Sequence, residues 1–214
     1  MPHIVSIQVG TPVQYGTETA TDPMDTPWVT SFFKLPVTGP VRVETEGIEG
    51  NLQADLRFHG DADKALLLYS ADHYPLWQEE LTIPEMAGGG FGENLTIRGL
   101  TEQSVCIGDR YQIGEVIVEV TQPRQPCWKL GRRWRIVDLP KQVIRTSRSG
   151  WYTRVIHPGV IEAGMNVERV SCPHPDWTIQ RANRVFYQQP AGDLERGELA
   201  MLPELANAWR EELV

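Results

Sequence analysis

Cysteine is scarce in this chain, and the residue spacings that build common metal or disulfide sites are absent. Its 214 residues include three cysteines at wide spacing, Cys106, Cys127 and Cys172. An odd, scattered set argues against a disulfide framework and favours a reducing compartment. The Cys-x-x-Cys and His-Glu-x-x-His patterns are both missing, and the five histidines are dispersed. The sequence therefore does not predict a structural zinc site.

Long apolar runs and nucleotide-binding glycine motifs are also missing. No stretch approaches the roughly 18 apolar residues that span a bilayer, and the first residues do not combine a basic segment with an apolar one. We therefore expect a cytoplasmic protein without a membrane segment. The P-loop and the Gly-x-Gly-x-x-Gly dinucleotide spacing are absent as well. No flavin or iron–sulfur signature is present, so a redox reaction would require an external electron donor.

Acidic residues outnumber basic ones overall, but one segment reverses the balance. The chain has 20 Lys plus Arg and 28 Asp plus Glu, whereas residues 124–154 hold nine basic residues and one acid. The remaining residues carry 11 basic and 27 acidic side chains, a net of −16. This asymmetry predicts positive potential around the basic segment and a small anionic ligand there. The arginines could instead form a solvated face or pair with acids elsewhere in the chain. Nucleic-acid binding is disfavoured by the acidic remainder.

Cys127 is the strongest candidate for chemistry. It lies on the segment Gln-Pro-Arg-Gln-Pro-Cys-Trp-Lys-Leu at residues 122–130, between Arg124 and Lys129. Nearby cations stabilise a thiolate, the form that attacks electrophiles or binds soft metals. The two prolines fix φ and stiffen the segment. A cysteine hydrolase pairing Cys127 with His59 is an alternative, but no orienting partner for the histidine is recognisable.

Two further segments carry polar or glycine-rich loops. Residues 58–69 place His59 and Lys64 just before an apolar run, where they could grip a phosphate, or where His59 could be structural and Lys64 a surface charge. Residues 88–95 read Gly-Gly-Gly-Phe-Gly-Glu-Asn-Leu. Their glycines allow positive φ and would leave backbone N–H groups free to approach an anion.

Short β-type runs separated by Gly, Pro and Asn predict a mainly-β fold with a barrel or closed sheet. The predicted strands include residues 4–9, 41–43, 66–69, 111–113 and 116–120. One internal helix is predicted over residues 70–81, with Ser70 as its N-cap. Three amphipathic segments follow, at residues 178–187, 193–201 and 203–213. We expect a β-barrel domain over residues 1–172 and a three-helix appendage over residues 173–214, packed on the barrel or on a partner subunit.

In their order along the chain, these motifs resemble a stand-alone bacterial MOSC-domain protein (the molybdenum cofactor sulfurase C-terminal domain family), of the type linked to resistance against 6-N-hydroxylaminopurine. The similarity runs from about residue 40 to residue 170. It rests on the segments at residues 50–55, 59–60, 64–65, 91–95, 99–102, 107–109, 122–127 and 149–155. The helical tail also resembles the region that follows the MOSC domain in this group.

The resemblance implies a β-barrel that binds the molybdenum cofactor, a pterin with a dithiolene-bound metal and a phosphate. The family cysteine maps onto Cys127, as molybdenum ligand or sulfur-carrying group. The residues that would surround the pterin and its phosphate are His59, Lys64, Asn94, Arg124 and Arg154. Two positions depart from the family pattern: Asp61 stands where the family usually has Gly, and Asn51 where it usually has Asp. Cys106 and Cys172 have no basic loop around them and are interpreted as core or surface thiols.

The same resemblance implies a molybdoenzyme that reduces N-hydroxylated compounds, such as hydroxylaminopurine bases, to amines, with electrons from an external protein. A different class of function stays open: a carrier that binds the cofactor, or that passes sulfur through a Cys127 persulfide, without reductase turnover. Neither hypothesis involves a nucleic acid or a membrane. The helical tail and the seven tryptophans leave room for a homodimer.

Overall fold

The computed structural model describes residues 1–55, 60–187 and 192–213. The strands are β1 (His3–Val9), β2 (Val13–Tyr15), β3 (Trp28–Thr30), β4 (Leu35–Pro36), β5 (Val41–Glu44), β6 (Gly47–Ile48), β7 (Leu66–Ser70), β8 (Leu95–Arg98), β9 (Arg110–Ile113), β10 (Val116–Pro123), β11 (Trp151–His157), β12 (Gly159–Ile161) and β13 (Glu168–Ser171). The helices are α1 (Tyr74–Leu81), α2 (Trp128–Trp134), α3 (Leu139–Thr146), α4 (Ile179–Tyr187), α5 (Asp193–Ala200) and α6 (Asn207–Leu213). All five predicted strands are present.

One curled eight-stranded sheet dominates the fold, in the order β13-β9-β10-β11-β7-β8-β1-β4. Its pairs are antiparallel except β7 with β8, which run parallel. The sheet curls far enough to bring β1 next to the segment before β13. The two segments are hydrogen-bonded, with Ile4 N donating to Met165 O at 2.9 Å and Val167 N donating to Pro2 O at 2.9 Å. The expected mainly-β, barrel-like fold is confirmed. Smaller sheets, β12-β5-β6 and β2-β3, accompany it.

Strand β10 shows why this sequence builds a buried sheet. Val116, Val118 and Val120 alternate along it and are fully buried, as the period-two pattern predicts. Burying each such side chain stabilises the fold by about 1.5–3 kcal/mol. Glu119, on the same strand, is also buried, and its carboxylate accepts hydrogen bonds from Arg110 at 2.7 Å and Arg154 at 3.1 Å. The strand therefore carries both core packing and a buried ionic network.

The three C-terminal helices share the main apolar core with the sheet. Trp177, Ile179, Val185 and Trp209 belong to the same buried cluster as the inward residues of β1, β7 and β10. Phe186 stacks on Trp209 at 4.2 Å between ring centroids. Helices stand at the three predicted positions, although α6 begins at Asn207. The boundary after residue 172 stays a prediction, because the buried apolar residues in the described part of the tail belong to the main cluster.

The predicted internal helix is confirmed in part. Ser70 ends β7, and its hydroxyl accepts a hydrogen bond from Asp72 N at 3.3 Å, which is the expected capping contact. A 3₁₀ turn over Ala71–His73 follows, and α1 starts at Tyr74. Pro75 is tolerated because it lies in the first helical turn, where its missing N–H has no partner to lose.

Helices α2 and α3 have no counterpart among the sequence predictions. They follow Cys127 directly, in the basic segment, where charged residues obscure the apolar spacing. Leu130, Leu139 and Val143 are nevertheless buried in a second apolar cluster that also contains Trp77 and Phe91. None of the helices in the described ranges is long and apolar enough to cross a membrane.

Candidate functional site

Cys127 lies at the junction of two cavities. Strand β10 ends at Pro123, helix α2 begins at Trp128, and Cys127 occupies the extended position before the helix, with φ −108° and ψ 167°. Its side chain is half-buried. It lines a small cavity of about 60 Å³ and a larger one of about 720 Å³. The thiol at the end of this strand therefore lies where two ligands, or two parts of one ligand, can reach it.

Three cationic side chains line the small cavity: Lys34, Arg124 and Lys129. Arg124 is 3% exposed, and its Nη1 atom has no hydrogen-bond partner among the described residues. Its backbone N donates to Gly150 O at 3.0 Å, which fixes the start of the side chain. A buried donor without an acceptor is costly, and an oxyanion would supply charge-assisted hydrogen bonds to it. Among the described lining residues, three cations face one carboxylate, that of Asp55, so the small cavity favours an anionic group.

Lys34 has no sequence motif that could have identified it, because it lies between β3 and β4 in a segment without glycine or histidine signals. Burial lowers the pKa of Lys34 to about 8, although the nearby Glu93 carboxylate opposes the shift. Its ammonium group donates to Asn51 Oδ1, which also accepts from Gly10 N at 3.2 Å. The departure at position 51 thus gives Lys34 a neutral amide partner instead of a carboxylate.

The larger cavity has aromatic walls. Trp28, Trp128 and Tyr152 line it, and the centroids of the two indole rings are 5.4 Å apart. The guanidinium of Arg132 lies 5.5 Å from the Trp28 ring and 4.8 Å from the Trp128 ring. It is held there by Thr26 O at 2.9 Å. Because Trp128 is 54% exposed, this wall offers a preformed surface on which a planar ring can stack.

Tyr152 lines both cavities and is buried. Burial raises the pKa of Tyr152 to about 12, although the neighbouring Arg124 cation opposes the shift. The phenol is therefore protonated at neutral pH and available as a hydrogen-bond donor beside Cys127.

The glycine-rich loop at residues 88–92 does not offer its amides as predicted. Gly89 N donates to Glu93 Oε1 at 2.7 Å, and Phe91 N donates to Glu93 Oε2 at 3.1 Å. The loop therefore folds around a carboxylate of its own. Gly90 N and Gly92 N donate to Ala87 O and Gly89 O, so the prediction of free N–H groups is wrong for residues 89–92. Phe91 and Gly92 still form part of the wall of the small cavity.

Several arginines of the basic segment pair with acids from distant parts of the chain. Arg135 contacts Asp25 at 2.6 Å and Asp22 at 3.0 Å. Arg148 contacts Glu80 at 2.7 Å. The alternative prediction, that arginines of the basic segment pair with acids elsewhere in the chain, is therefore confirmed for Arg135 and Arg148. Within the described part of the chain, the cations that line the small cavity are Lys34, Arg124 and Lys129.

A family model described as the MOSC domain matches residues 55–168, which is more than half of the chain. The chain belongs to the MOSC family. The uncharacterised protein YflK of Bacillus subtilis is 39% identical over 181 residues, covering 85% of this chain and 81% of YflK. The crystal structure of YiiM from Geobacillus stearothermophilus has a TM-score of 0.81 and 35% identity, covering 100% of this chain and 97% of that one. A protein called Reductase from Gibberella moniliformis is 36% identical over 159 residues, which cover 73% of this chain and 28% of that protein.

Of the residues assigned by the MOSC resemblance, Cys127, Arg124 and Asn94 line the small cavity. The amide of Asn94 is engaged in the scaffold, since Oδ1 accepts from Leu67 N at 3.2 Å and Nδ2 donates to Gln8 O at 3.3 Å. It therefore ties β7 to β1 and has one N–H left for a ligand. His59 lies outside the described residues.

Lys64 and Arg154 occupy different places. Lys64 ends a 3₁₀ turn over Ala62–Lys64 and lines the larger cavity. Arg154 is not among the described residues of either cavity wall: its guanidinium contacts Asp63 at 2.8 Å and Glu119 at 3.1 Å. The geometry makes Arg154 an anchor for the turn that carries Lys64, and its assignment to the cofactor stays a prediction.

Asp61, the second departure from the MOSC pattern, has a local structural contact. It is exposed, and its carboxylate accepts a hydrogen bond from Asp63 N at 3.1 Å. This contact caps the 3₁₀ turn that carries Lys64. Asp61 is not one of the described residues that line the two cavities.

The MOSC family is associated with the molybdenum cofactor, and the residues present here fit that group. The Cys127 thiol is a soft ligand suited to a thiophilic metal. The unpartnered Nη1 of Arg124 and the Lys34 ammonium suit an anionic tail. Both kinds of group line one cavity, as a cofactor with a metal at one position and a phosphate at another requires.

Proposed function

We propose that this MOSC protein binds the molybdenum cofactor, with Cys127 as molybdenum ligand, and reduces N-hydroxylated bases such as 6-N-hydroxylaminopurine to amines. The observation that carries the proposal is the position of Cys127 in the walls of both the cationic and the aromatic cavity. The anionic end of a cofactor in the small cavity, and the metal with a substrate in the larger one, would therefore meet at the thiol. The 36% identity to a protein named Reductase supports the same class of reaction.

On the cofactor side, Arg124, Lys34 and Lys129 hold the anionic end. Arg124 offers the buried Nη1 donor, and Lys129 is positioned by its hydrogen bond to Val29 O at 3.2 Å. Lys64 approaches from the larger cavity. When bound, the cofactor supplies a two-electron redox centre that can accept the hydroxyl oxygen of the substrate.

On the substrate side, the volume of about 720 Å³ falls within the range of small-molecule sites. The indole of Trp128 provides a stacking face for a purine ring. Tyr152, protonated at neutral pH, donates a hydrogen bond toward the reacting nitrogen or oxygen. Overall, one hydroxylamine, two electrons and two protons give one amine and one water. The electrons come from a separate donor protein.

The test begins with metal and pterin analysis of protein expressed in a host that makes the molybdenum cofactor. We expect near-stoichiometric molybdenum in the wild type and loss of it in Cys127→Ala, with Cys172→Ala as the matched control that keeps the molybdenum. Molybdenum-loaded protein, supplied with a strong artificial electron donor, should then reduce 6-N-hydroxylaminopurine. Molybdenum retained without turnover of any N-hydroxylated base would favour the cofactor carrier. Labile sulfur on Cys127 without molybdenum would favour the sulfur carrier.

A further inference from the structure

Two cysteines that are 66 positions apart meet beside a buried aspartate, away from the cavity walls described above. The Sγ atoms of Cys106 and Cys172 and a carboxylate oxygen of Asp109 all lie within 4.8 Å of one another. The register of the sheet explains the meeting, because Ser171 at the end of β13 pairs with Arg110 at the start of β9. Cys172 is thereby carried next to the turn that holds the other two residues.

Asp109 lies beside both thiols and has one carboxylate oxygen without a hydrogen-bond partner among the described residues. Its side chain is fully buried, and Oδ1 has no hydrogen-bond partner among the described residues. The other oxygen, Oδ2, accepts from Cys106 N at 3.0 Å, Tyr111 Oη at 3.0 Å and Arg169 Nη1 at 3.4 Å. A buried carboxylate oxygen without a partner is costly. A cation beside Oδ1 would remove that cost.

We infer that Cys106, Cys172 and Asp109 form a binding site for a thiophilic divalent metal ion, with zinc as the best match. Two sulfur ligands and one oxygen ligand suit zinc, which takes four ligands in structural sites. Water or a nearby carbonyl supplies the fourth. Binding releases one proton from each thiol and forms two metal–sulfur bonds, with no change of oxidation state.

The surroundings balance the charge of such a site. Two thiolates and one carboxylate around a divalent cation leave one excess negative charge, and the guanidinium of Arg169, 3.4 Å from Asp109 Oδ2, neutralises it. The Cys106 thiol also donates a hydrogen bond to Pro175 O at 3.4 Å, which places a carbonyl oxygen near the cluster. The sequence could not predict this site, because its ligands share no short motif.

The position of the cluster indicates a structural role. Ile107 N donates to Trp177 O at 2.9 Å, and Ile179 N donates to Val105 O at 2.8 Å. The turn that holds Cys106 is therefore paired with the start of the helical tail, and Cys172 leads into the same tail. A metal ion here would join the sheet to the tail at one point.

The test uses full-length protein under reducing conditions, titrated with zinc chloride and, separately, with cobalt chloride. We expect one zinc per chain and the near-ultraviolet absorption of a cobalt–thiolate bond. Zinc affinity should fall at least tenfold in Cys172→Ser and in Asp109→Asn, and stay unchanged in Cys127→Ser. Zinc should also raise the Tm of the wild type and of Cys127→Ser, but not of Cys172→Ser.

Because Cys172 is half-buried, Cys172→Ser should fold without metal, which circular dichroism checks. If Cys172→Ser does not fold, the cobalt spectrum of Cys127→Ser is sufficient, because Cys106 and Cys172 are the two cysteines that remain in Cys127→Ser. Absence of thiolate absorption in Cys127→Ser would overturn the inference. So would zinc binding that is equal in the wild type and Cys172→Ser, or that is lost only in Cys127→Ser.

Discussion

Lys34 and Asn51 form a partly buried hydrogen bond in which the lysine ammonium donates to the amide oxygen. Lys34 also lines the small cavity beside Arg124. The amide holds the ammonium in place without neutralising it, so the positive charge remains available to an anion. An aspartate at this position, as in the family pattern, would instead form an ion pair. Asn51 therefore increases the capacity of the small cavity for a negatively charged group.

Anion binding should depend on pH through Lys34, whose pKa lies near 8. Affinity for inorganic phosphate should fall as pH rises through about 8, because the ammonium loses its charge. In Asn51→Asp the new carboxylate should raise the pKa of Lys34 and weaken phosphate binding about tenfold at pH 7. Isothermal titration from pH 6.5 to 9.5 checks both effects, with Asn51→Ser as the neutral control. A pH-independent affinity in the wild type would contradict the role given to Lys34.

The stability of the protein should also respond to Lys34. The unfolded chain holds the lysine proton up to pH 10.5, whereas the folded chain releases it at about pH 8. Wild-type stability should therefore rise as pH increases between these values. Lys34→Met should raise the free energy of unfolding by up to about 3 kcal/mol at pH 7, and the gain should shrink toward pH 10. Urea denaturation measures it, with Lys129→Met at the less buried lysine as control. A gain that is constant over this pH range would speak against burial as its source.

Arg124 should hold an anion through its donor geometry as well as its charge. Arg124→Lys keeps the charge but loses the fork of N–H donors, and Nη1 is the unpartnered atom. We expect about a tenfold loss of molybdenum cofactor content or phosphate affinity in this variant. Arg135→Lys, at the exposed ion pair with Asp25, should change neither. Equal losses in the two variants would show that general charge, and not the cavity, binds the anion.

A substitution at Arg154 can distinguish a structural role of this residue from a role in cofactor binding. Arg154→Met removes one of the two arginines that pair with the buried carboxylate of Glu119 among the described residues, and Arg110 remains. We expect the free energy of unfolding to fall by about 1–3 kcal/mol. Glu119→Gln should lower it as well, and urea denaturation measures both. Loss of cofactor with an unchanged urea midpoint in Arg154→Met would instead support the assignment of Arg154 as a cofactor ligand.

Trp128 should select aromatic substrates if the proposed reductase activity is present. In Trp128→Ala, loss of the stacking face should raise KM for 6-N-hydroxylaminopurine about tenfold and leave KM for an aliphatic hydroxylamine unchanged. Trp128→Phe keeps an aromatic ring and should therefore have a KM for 6-N-hydroxylaminopurine close to that of the wild type. Steady-state kinetics with one artificial electron donor measure all three proteins. An equal KM increase for both substrates would exclude a stacking role.

The sequence alone determined the strands whose pattern is local. The alternating valines of β10 indicate their own strand, because side-chain direction repeats every two residues. The order of motifs around Cys127 indicated the MOSC family, which the comparisons confirm. Local patterns failed at α2 and α3, since their apolar residues are few and lie among charges. They also failed at the glycine-rich loop, where Glu93 supplies an acceptor that composition does not reveal.

Only the tertiary structure decided which side chains share a site. Lys34 and Arg124 lie 90 residues apart and meet in one cavity, while Arg154, from the same basic segment as Arg124, turns instead to Asp63 and Glu119. Charge along a chain does not specify the partner of a side chain, because pairing depends on which strands the sheet places next to one another. Cys106, Asp109 and Cys172 are likewise brought together by the pairing of β13 with β9. Sequence determined the chemistry that was available, and strand register determined where it was brought together.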